Sequence, residues 1–377
     1  MATSIEQSVK KGWISGLGSN GRRMARIVCA AVVAIFFSTW TADARAEAAG
    51  AKMPSDSASL RESARTVFDA LPAEAVNPAN PSSPAKIELG RILYYDPRFS
   101  KNQEISCNTC HLLDRFGVDG LPTSKGHRDE RGKRNAPSVY NAALHIAQFW
   151  DGRAADVEAQ AKGPVLNPIE MAMPSEAAVL GVIRSIPGYA PLFAAAFPQE
   201  SEPLTYDNMA KAIGAFERKL MTPGPFDAFL RGDDAALSAA QRAGLEQFMS
   251  SGCIICHQGP AVGGAMYQKL GLIKPYPTDD PGREAVTGNA ADRQVFKVPS
   301  LRNVAHTGPY FHDGSIAQLD DAIRIMGEHQ LGVALSAAQI ASIRTFLEAL
   351  TGRVDETFVA RPALPPSGPT TPRPDPS

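Results

Sequence analysis

Two stretches of the chain decide its reading, Cys107-Asn108-Thr109-Cys110-His111 and Cys253-Ile254-Ile255-Cys256-His257. Each puts two thiols about one helical turn apart and a histidine directly behind them. That spacing suits covalent haem: the thiols add to the two vinyl groups and the imidazole meets the iron from the proximal side. A redox dithiol or half of a zinc site would use the cysteines and leave both histidines unexplained. Two covalently bound c-type haems are therefore expected, with Cys107, Cys110, Cys253 and Cys256 as attachment points and His111 and His257 as iron ligands.

The compartment follows from the N-terminus. Arg22, Arg23 and Arg26 precede an apolar run from Ile27 to Trp40, and Ala44-Arg45-Ala46 supplies the small-x-small pattern of signal cleavage. Residues 1–46 read as a signal peptide cut after Ala46. The apolar run falls short of the roughly 20 residues that span a bilayer, so a retained anchor is the weaker reading. Met24 is an alternative start. Cys29 leaves with the leader, and four cysteines in an exported chain would by default form two disulfides; their haem spacing argues against it. The formal charge moves from −1 to −5 once the leader's six basic and two acidic residues go. A mildly acidic exported chain has no footprint for nucleic acid. With 44% hydrophobic and 20% charged residues, the composition is globular.

The rest of the chain reads as mainly α. Met209, Ile213, Phe216 and Leu220 recur at helical steps and mark one buried face. Ser238 with Gln241 forms a capping box ahead of Leu245, Phe248 and Met249, in a helix that runs toward the second haem motif. Ser336 with Gln339 repeats the device ahead of Ile340, Ile343, Leu347 and Leu350. Sustained strand alternation is absent, and no close repeat relates the halves beyond the haem motif. The expected organisation has an N-terminal extension over 47–84, including an exposed Pro-rich connection from Pro72 to Pro84. Two cytochrome c-like domains follow, over 85–220 and 221–353, each carrying one covalently attached haem. The Pro-rich stretch over 354–377 is either a surface strap or a disordered tail.

The sixth iron ligands separate an electron carrier from an enzyme, because an iron held only by its proximal histidine leaves a position for substrate. A thioether favours the ferrous state, and Met266 and Met326 both follow His257. Met326 is preferred, since it falls in the next helical run, far enough along to cross the haem's distal face. For the first haem the candidate is His127, in the loop Gly126-His127-Arg128-Asp129-Glu130. His145, His306 and His329 have no assigned role, and His312 either meets a haem propionate or packs.

Further motifs run along the chain in a recognisable order: Leu93-Tyr94-Tyr95-Asp96-Pro97-Arg98, Arg134-Asn135-Ala136-Pro137-Ser138, Gln148-Phe149-Trp150-Asp151-Gly152-Arg153, Gly163-Pro164, Glu170-Met171, Lys297-Val298-Pro299-Ser300-Leu301-Arg302-Asn303 and Pro309-Tyr310-Phe311-His312. With these, the sequence from about Ala85 to Gly352 resembles the bacterial di-haem cytochrome c peroxidase family. The resemblance implies that the His111 haem is the low-potential site where hydrogen peroxide is reduced to water, with His127 as its sixth ligand in the oxidised resting state. It implies a high-potential electron-accepting haem held by His257 and Met326, and Trp150 between the two. Gln160 and Glu170 match the distal residues that handle peroxide and its protons, and a carboxylate in a partly dry pocket suits that work. Asn135, Thr307 and Pro309 match positions that hold calcium between the domains. A periplasmic homodimer is implied, fed by a small c-type cytochrome or cupredoxin. Two other readings are a non-catalytic di-haem electron carrier and a peroxide-dependent oxidase that modifies a partner protein. The branch of the superfamily that does the latter carries tyrosine at the Met326 position.

Overall fold

Side-chain caps set where the helices begin. The computed structural model describes residues 56–377, so the expected signal peptide and the start of the extension lie outside the described residues. Asp56 accepts from Ser59 N to start α1 (Ser57–Arg65), and Ser83 accepts from Lys86 N ahead of α2 (Pro84–Tyr95). The single turn α3 (Cys107–Cys110) joins the first pair of haem cysteines. There follow α4 (Val157–Leu166), α5 (Glu176–Ser185), α6 (Tyr189–Ala196) and α7 (Tyr206–Glu217). The second half holds α8 (Pro225–Leu230), α9 (Ala239–Ser250), α10 (Glu284–Thr287), α11 (Leu319–Met326) and α12 (Ala337–Glu348). Among the described residues the strands are limited to one antiparallel pair, β1 (Tyr267–Lys269) and β2 (Val295–Lys297), with Gln268 opposite Phe296. Both expected capping boxes form, at α9 and α12.

A hydrophobic core lies beside each haem motif. In the first, Leu89 and Leu93 of α2 pack with Met209, Ile213 and Phe216 of α7. In the second, Leu245 and Phe248 of α9 pack with Ile343, Phe346 and Leu347 of α12. The two crossings are alike. A Cβ at Gly90 would lie 1.9 Å from Ala212 O and one at Gly244 2.2 Å from Ser342 O, so only glycine lets either pair approach so closely. In each pair the glycine-bearing helix leads into a haem motif, and the crossing fixes where the cysteines sit. The first described helix, α1, belongs to the second core, with Leu60, Ala64 and Phe68 against Phe226 and Phe248. Buried Arg302 and Asp227 pair at 2.8 Å, and Asp227 Oδ1 also accepts from Leu71 N, which fastens this segment.

A repeat that sequence reading missed relates the halves. Pro137-Ser138, Asn141, Phe149 and Asp151-Gly152 match Pro299-Ser300, Asn303, Phe311 and Asp313-Gly314 at one constant separation along the chain. The backbone follows suit. Asn141 and Asn303 have φ of 62° and 60°, and Phe149 and Phe311 have 64° and 69°. Ser138 and Ser300 each accept from the backbone N–H two residues on, and equivalent bridges join Gln148 to Ala154 and Tyr310 to Ile316. The helices α4 and α11 then start at matching positions. The shared residues are few and concentrated in turns, so hydrophobic periodicity carries no trace of the repeat.

Residues 354–377 run without helix or strand across the first core. Tyr95 OH donates to Val359 O, Arg98 Nη1 to Ser367 Oγ at 3.0 Å, Gln103 Nε2 to Pro372 O at 2.8 Å, and Asp375 N to Lys101 O at 3.0 Å.

Candidate functional site: two cavities and the hairpin between them

The second haem motif faces a largely apolar cavity whose wall includes Cys253, Cys256, His257, Trp150, Lys297 and Met326. His257 Nδ1 lies 3.3 Å from Val262 O, which orients the ring and leaves Nε2 for a metal. Burial lowers this imidazole to about 4, so it is neutral, the form that ligates. Met326 is on the wall. Met266 is not among the lining residues; its carbonyl accepts from Val298 N.

Two polar groups in this wall test whether a haem belongs there. Lys297 is 6% exposed, its ammonium meets His145 Nδ1 at 3.1 Å with no carboxylate near, and His145 Nε2 has no partner. Burial pushes Lys297 down to about 8. A buried cation without a counterion calls for an anion from the cavity, and a haem propionate is one. The wall thus fits the group: two thiols, an imidazole, a thioether and an ammonium. The four cysteines among the described residues are free, and burial raises Cys110 to about 11 and Cys253 to about 12, the reverse of a reactive dithiol. Among the described residues no cluster of three His, Cys, Asp or Glu side chains could hold a metal, so the zinc reading gains no support.

The first motif is seated by Cys107 against the first core and by Tyr94 OH, which donates to His111 O at 2.8 Å. His111 Nδ1 lies 3.4 Å from Gly117 O, as His257 does from Val262, and burial lowers its pKa. A smaller cavity is walled by Phe149, Arg153, Gly163, Pro164, Asn167 and Glu170. Asn167 Nδ2 donates to Glu170 Oε1 at 2.7 Å. Burial raises the Glu170 carboxyl above its usual range, an effect partly offset by Arg153 and by the Asn167 bond, which brings its proton exchange nearer neutrality. Gln160 is on α4 but not among the lining residues.

His127 is buried in the loop closed by the bridge between Lys125 and Arg131. Its N–H donates to Glu170 O at 2.8 Å, while its ring turns toward the 354–377 segment, with Nε2 3.1 Å from Ser377 O. The structure therefore joins His127 to Glu170 through the backbone and does not aim its ring into the small cavity. Arg128 and Asp129, directly after it, have φ of 59° and 60°, a conformation that costs non-glycine residues on the order of 1–2 kcal/mol each.

The Gln148–Ala154 hairpin stands between the cavities. Phe149 lines both, and Trp150 lines the larger, in a cluster with Met326 and Phe311. Trp150 Nε1 donates to Asn135 O at 2.9 Å, and Lys297 N donates to Trp150 O at 2.8 Å. Asn135, Thr307 and Pro309 share the larger cavity's wall, and Asn135 N donates to His312 O at 2.8 Å. An amide with backbone carbonyls is an oxygen set that calcium accepts. His312 also lines this cavity: its ring is stacked 4.5 Å from Phe296, Nε2 lies 3.0 Å from Thr278 Oγ1, and its buried Nδ1 has no partner.

Equivalent positions in the two halves differ where it matters. The second-half helix α11 ends at Met326; at the same register, α4 has Pro164, which also lines its cavity. Where one half presents a sulfur, the other presents a ring that cannot ligate a metal. Sequence reasoning took Gly163-Pro164 only as one motif in a series and gave Pro164 no role; the register of the repeat was the signal that would have found it.

A family model described as di-haem cytochrome c peroxidase matches residues 84–235. The cytochrome c551 peroxidase of Pseudomonas aeruginosa is 45% identical over 322 residues, which cover 84% of this chain and 92% of that protein. The chain belongs to the di-haem cytochrome c peroxidase family. It is thus an oxidoreductase of the peroxidase class, and the family implies two c-type haems. The methylamine utilization protein MauG of Methylorubrum extorquens is 35% identical to this peroxidase over 299 residues, 78% of this chain and 81% of that protein. The crystal structure of a MauG-like protein associated with microbial copper homeostasis matches with a TM-score of 0.69 and 31% identity, covering 78% of this chain and 95% of that one. Among the described residues of the peroxidase, no single helix is long and apolar enough to cross a membrane.

Proposed function

We propose that this peroxidase reduces hydrogen peroxide to water in the periplasm, with electrons from a small c-type cytochrome or cupredoxin. The observation that carries the reading is Pro164 in place of Met326 at the equivalent helix position, beside Glu170. When bound, the two haems would supply the redox chemistry, one taking electrons from the donor and the other passing them to peroxide. Cys107, Cys110 and His111 would hold the low-potential, peroxide-binding haem in the 85–220 domain. Cys253, Cys256, His257 and Met326 would hold the high-potential, electron-accepting haem in the 221–353 domain, with Lys297 paired to a propionate. Trp150 and Phe149 fill the space between them.

In the peroxide pocket Glu170 takes the proton of the near oxygen and returns it to the leaving one; Gln160, on α4 but outside the lining, would have to turn inward to orient the reactants. In the oxidised resting enzyme the His127 ring would swing from Ser377 O to cover the first site. Reduction of the enzyme would release the loop, whose Arg128 and Asp129, both at positive φ, make a second arrangement accessible. Calcium held by Asn135, Thr307 and Pro309 would stiffen the junction on which Trp150 rests, in a homodimer. Met326 weighs against the partner-modifying oxidase, and Pro164 against the simple carrier.

The test mixes half-reduced protein with peroxide and a reduced small cytochrome. Donor oxidation should proceed at two electrons per peroxide, with spectral change first at the His111 haem. An unchanged donor would contradict the proposal.

A further inference from the structure

The hairpin that separates the cavities also carries a guanidinium. Arg153 lines the small cavity beside Glu170 and Asn167. Its guanidinium carbon lies 3.4 Å from the centroid of the Phe149 ring, and Nη1 donates to both oxygens of Asp151 at 3.1 Å. Asp151, 4% exposed, is held from its other side by Arg134 at 2.5 Å, and Arg134 in turn grips Asp280 through Nε and Nη2 at 2.7 Å. Two arginines and two aspartates therefore form one braced row. Within it only Nη1 of Arg153 is engaged. Nε and Nη2 have no protein acceptor among the described residues, and with the side chain 42% exposed they are open to solvent and to whatever enters the cavity, a guanidinium having five N–H donors in a rigid fork.

The repeat sharpens the point. At the hairpin position equivalent to Arg153 the second half has Ser315, just as Pro164 stands opposite Met326. The half without a sulfur ligand is the half with a guanidinium at this hairpin position, on its cavity's wall. A side chain that served only to close the hairpin would have no reason to differ in this way, since both hairpins close with the same bridge.

From this geometry we infer that Arg153 is a catalytic residue of the peroxide site, whose free N–H groups bind the far oxygen and stabilise the negative charge that builds there as the O–O bond breaks. The inference rests on the peroxidase reading above. The near oxygen's proton passes by way of Glu170 to the far oxygen, which leaves as water. The oxygen atom left behind takes two electrons from the donor and two protons from solvent, and becomes the second water. Fixed donors aimed at developing charge typically contribute about a hundredfold or more in rate.

Arg153→Leu and Arg153→Lys in the haem-loaded enzyme test this. Fluoride is the non-reactive probe: in half-reduced protein it binds the open ferric site and accepts hydrogen bonds from the distal side, so its affinity is read from the haem spectrum without turnover. Arg153→Leu should weaken fluoride binding about tenfold or more and slow the reaction with peroxide about a hundredfold. Arg153→Lys, which keeps the charge and the contact with Asp151, should recover part of both. The KM for the donor should stay at the parent value. Fluoride affinity and peroxide rate within twofold of parent in both variants would overturn the assignment. So would losses that Arg153→Lys shows in full while its melting temperature and haem content match the parent. A parent enzyme inert to peroxide and reduced cytochrome would instead sink the underlying reading, before any variant is compared.

Discussion

Glu217 shows how one buried carboxyl governs pH behaviour. It lies on α7, 5% exposed, and burial together with the charge of Glu158 pushes it up to about 8, with Arg218 opposing. The folded chain then keeps a proton that the unfolded chain releases near 4.5. Between about pH 4.5 and pH 8 the folded state binds more protons, so stability falls as pH rises through that window and levels off above it. Glu217→Gln should flatten the decline and raise Tm by several degrees near pH 8 while changing it little near pH 5; equal shifts at both pH values would contradict this. At Met326 a tyrosine would replace a soft sulfur by a hard oxygen that favours ferric iron. Met326→Tyr should lower the potential of the His257 haem markedly in spectroelectrochemical titration, and an unchanged potential would place the ligand elsewhere, Met266 first. The cysteines and proximal histidines were legible because attachment chemistry fixes their spacing. Lys297, Arg153 and Pro164 were not, since each acquires meaning only from what stands across a cavity.

At the scale of elements, the His127 loop and the 354–377 segment form one unit. Asp375 N, Pro372 O and Ser377 O meet Lys101, Gln103 and His127 at 2.8–3.1 Å. Each such bond contributes roughly 0.5–1.5 kcal/mol net. Deleting residues 362–377 should lower Tm by a few degrees and speed amide exchange over residues 126–131; unaltered exchange would show that the segment does not brace the loop. His127→Gly tests the gate itself. The fully oxidised variant should react with peroxide without prior reduction, and a variant as dormant as the parent would remove gating from the scheme. The helices were readable because caps and apolar stripes are local signals. The course of the Pro-rich segment was not: it has no internal pattern, and its hydrogen-bond partners elsewhere lie 186 or more residues away in sequence. The hairpin repeat escaped notice because turns conserve backbone shape through a handful of residues.

For the whole molecule, the two halves share a glycine-tight helix crossing, a hairpin and a distal helix, and differ at the positions facing each cavity. Equal scaffolds thus line unequal cavities, one with Met326 and the other with Pro164 and Glu170. That inequality is the central claim. It is tested most directly by adding cyanide to the mixed-valence protein, with the His257 haem reduced, and following each haem by electron paramagnetic resonance and absorption. One cyanide per chain should bind, at the His111 iron alone, while the His257 iron keeps its methionine signature. Two irons closed to cyanide, or cyanide displacing the sulfur first, would contradict it.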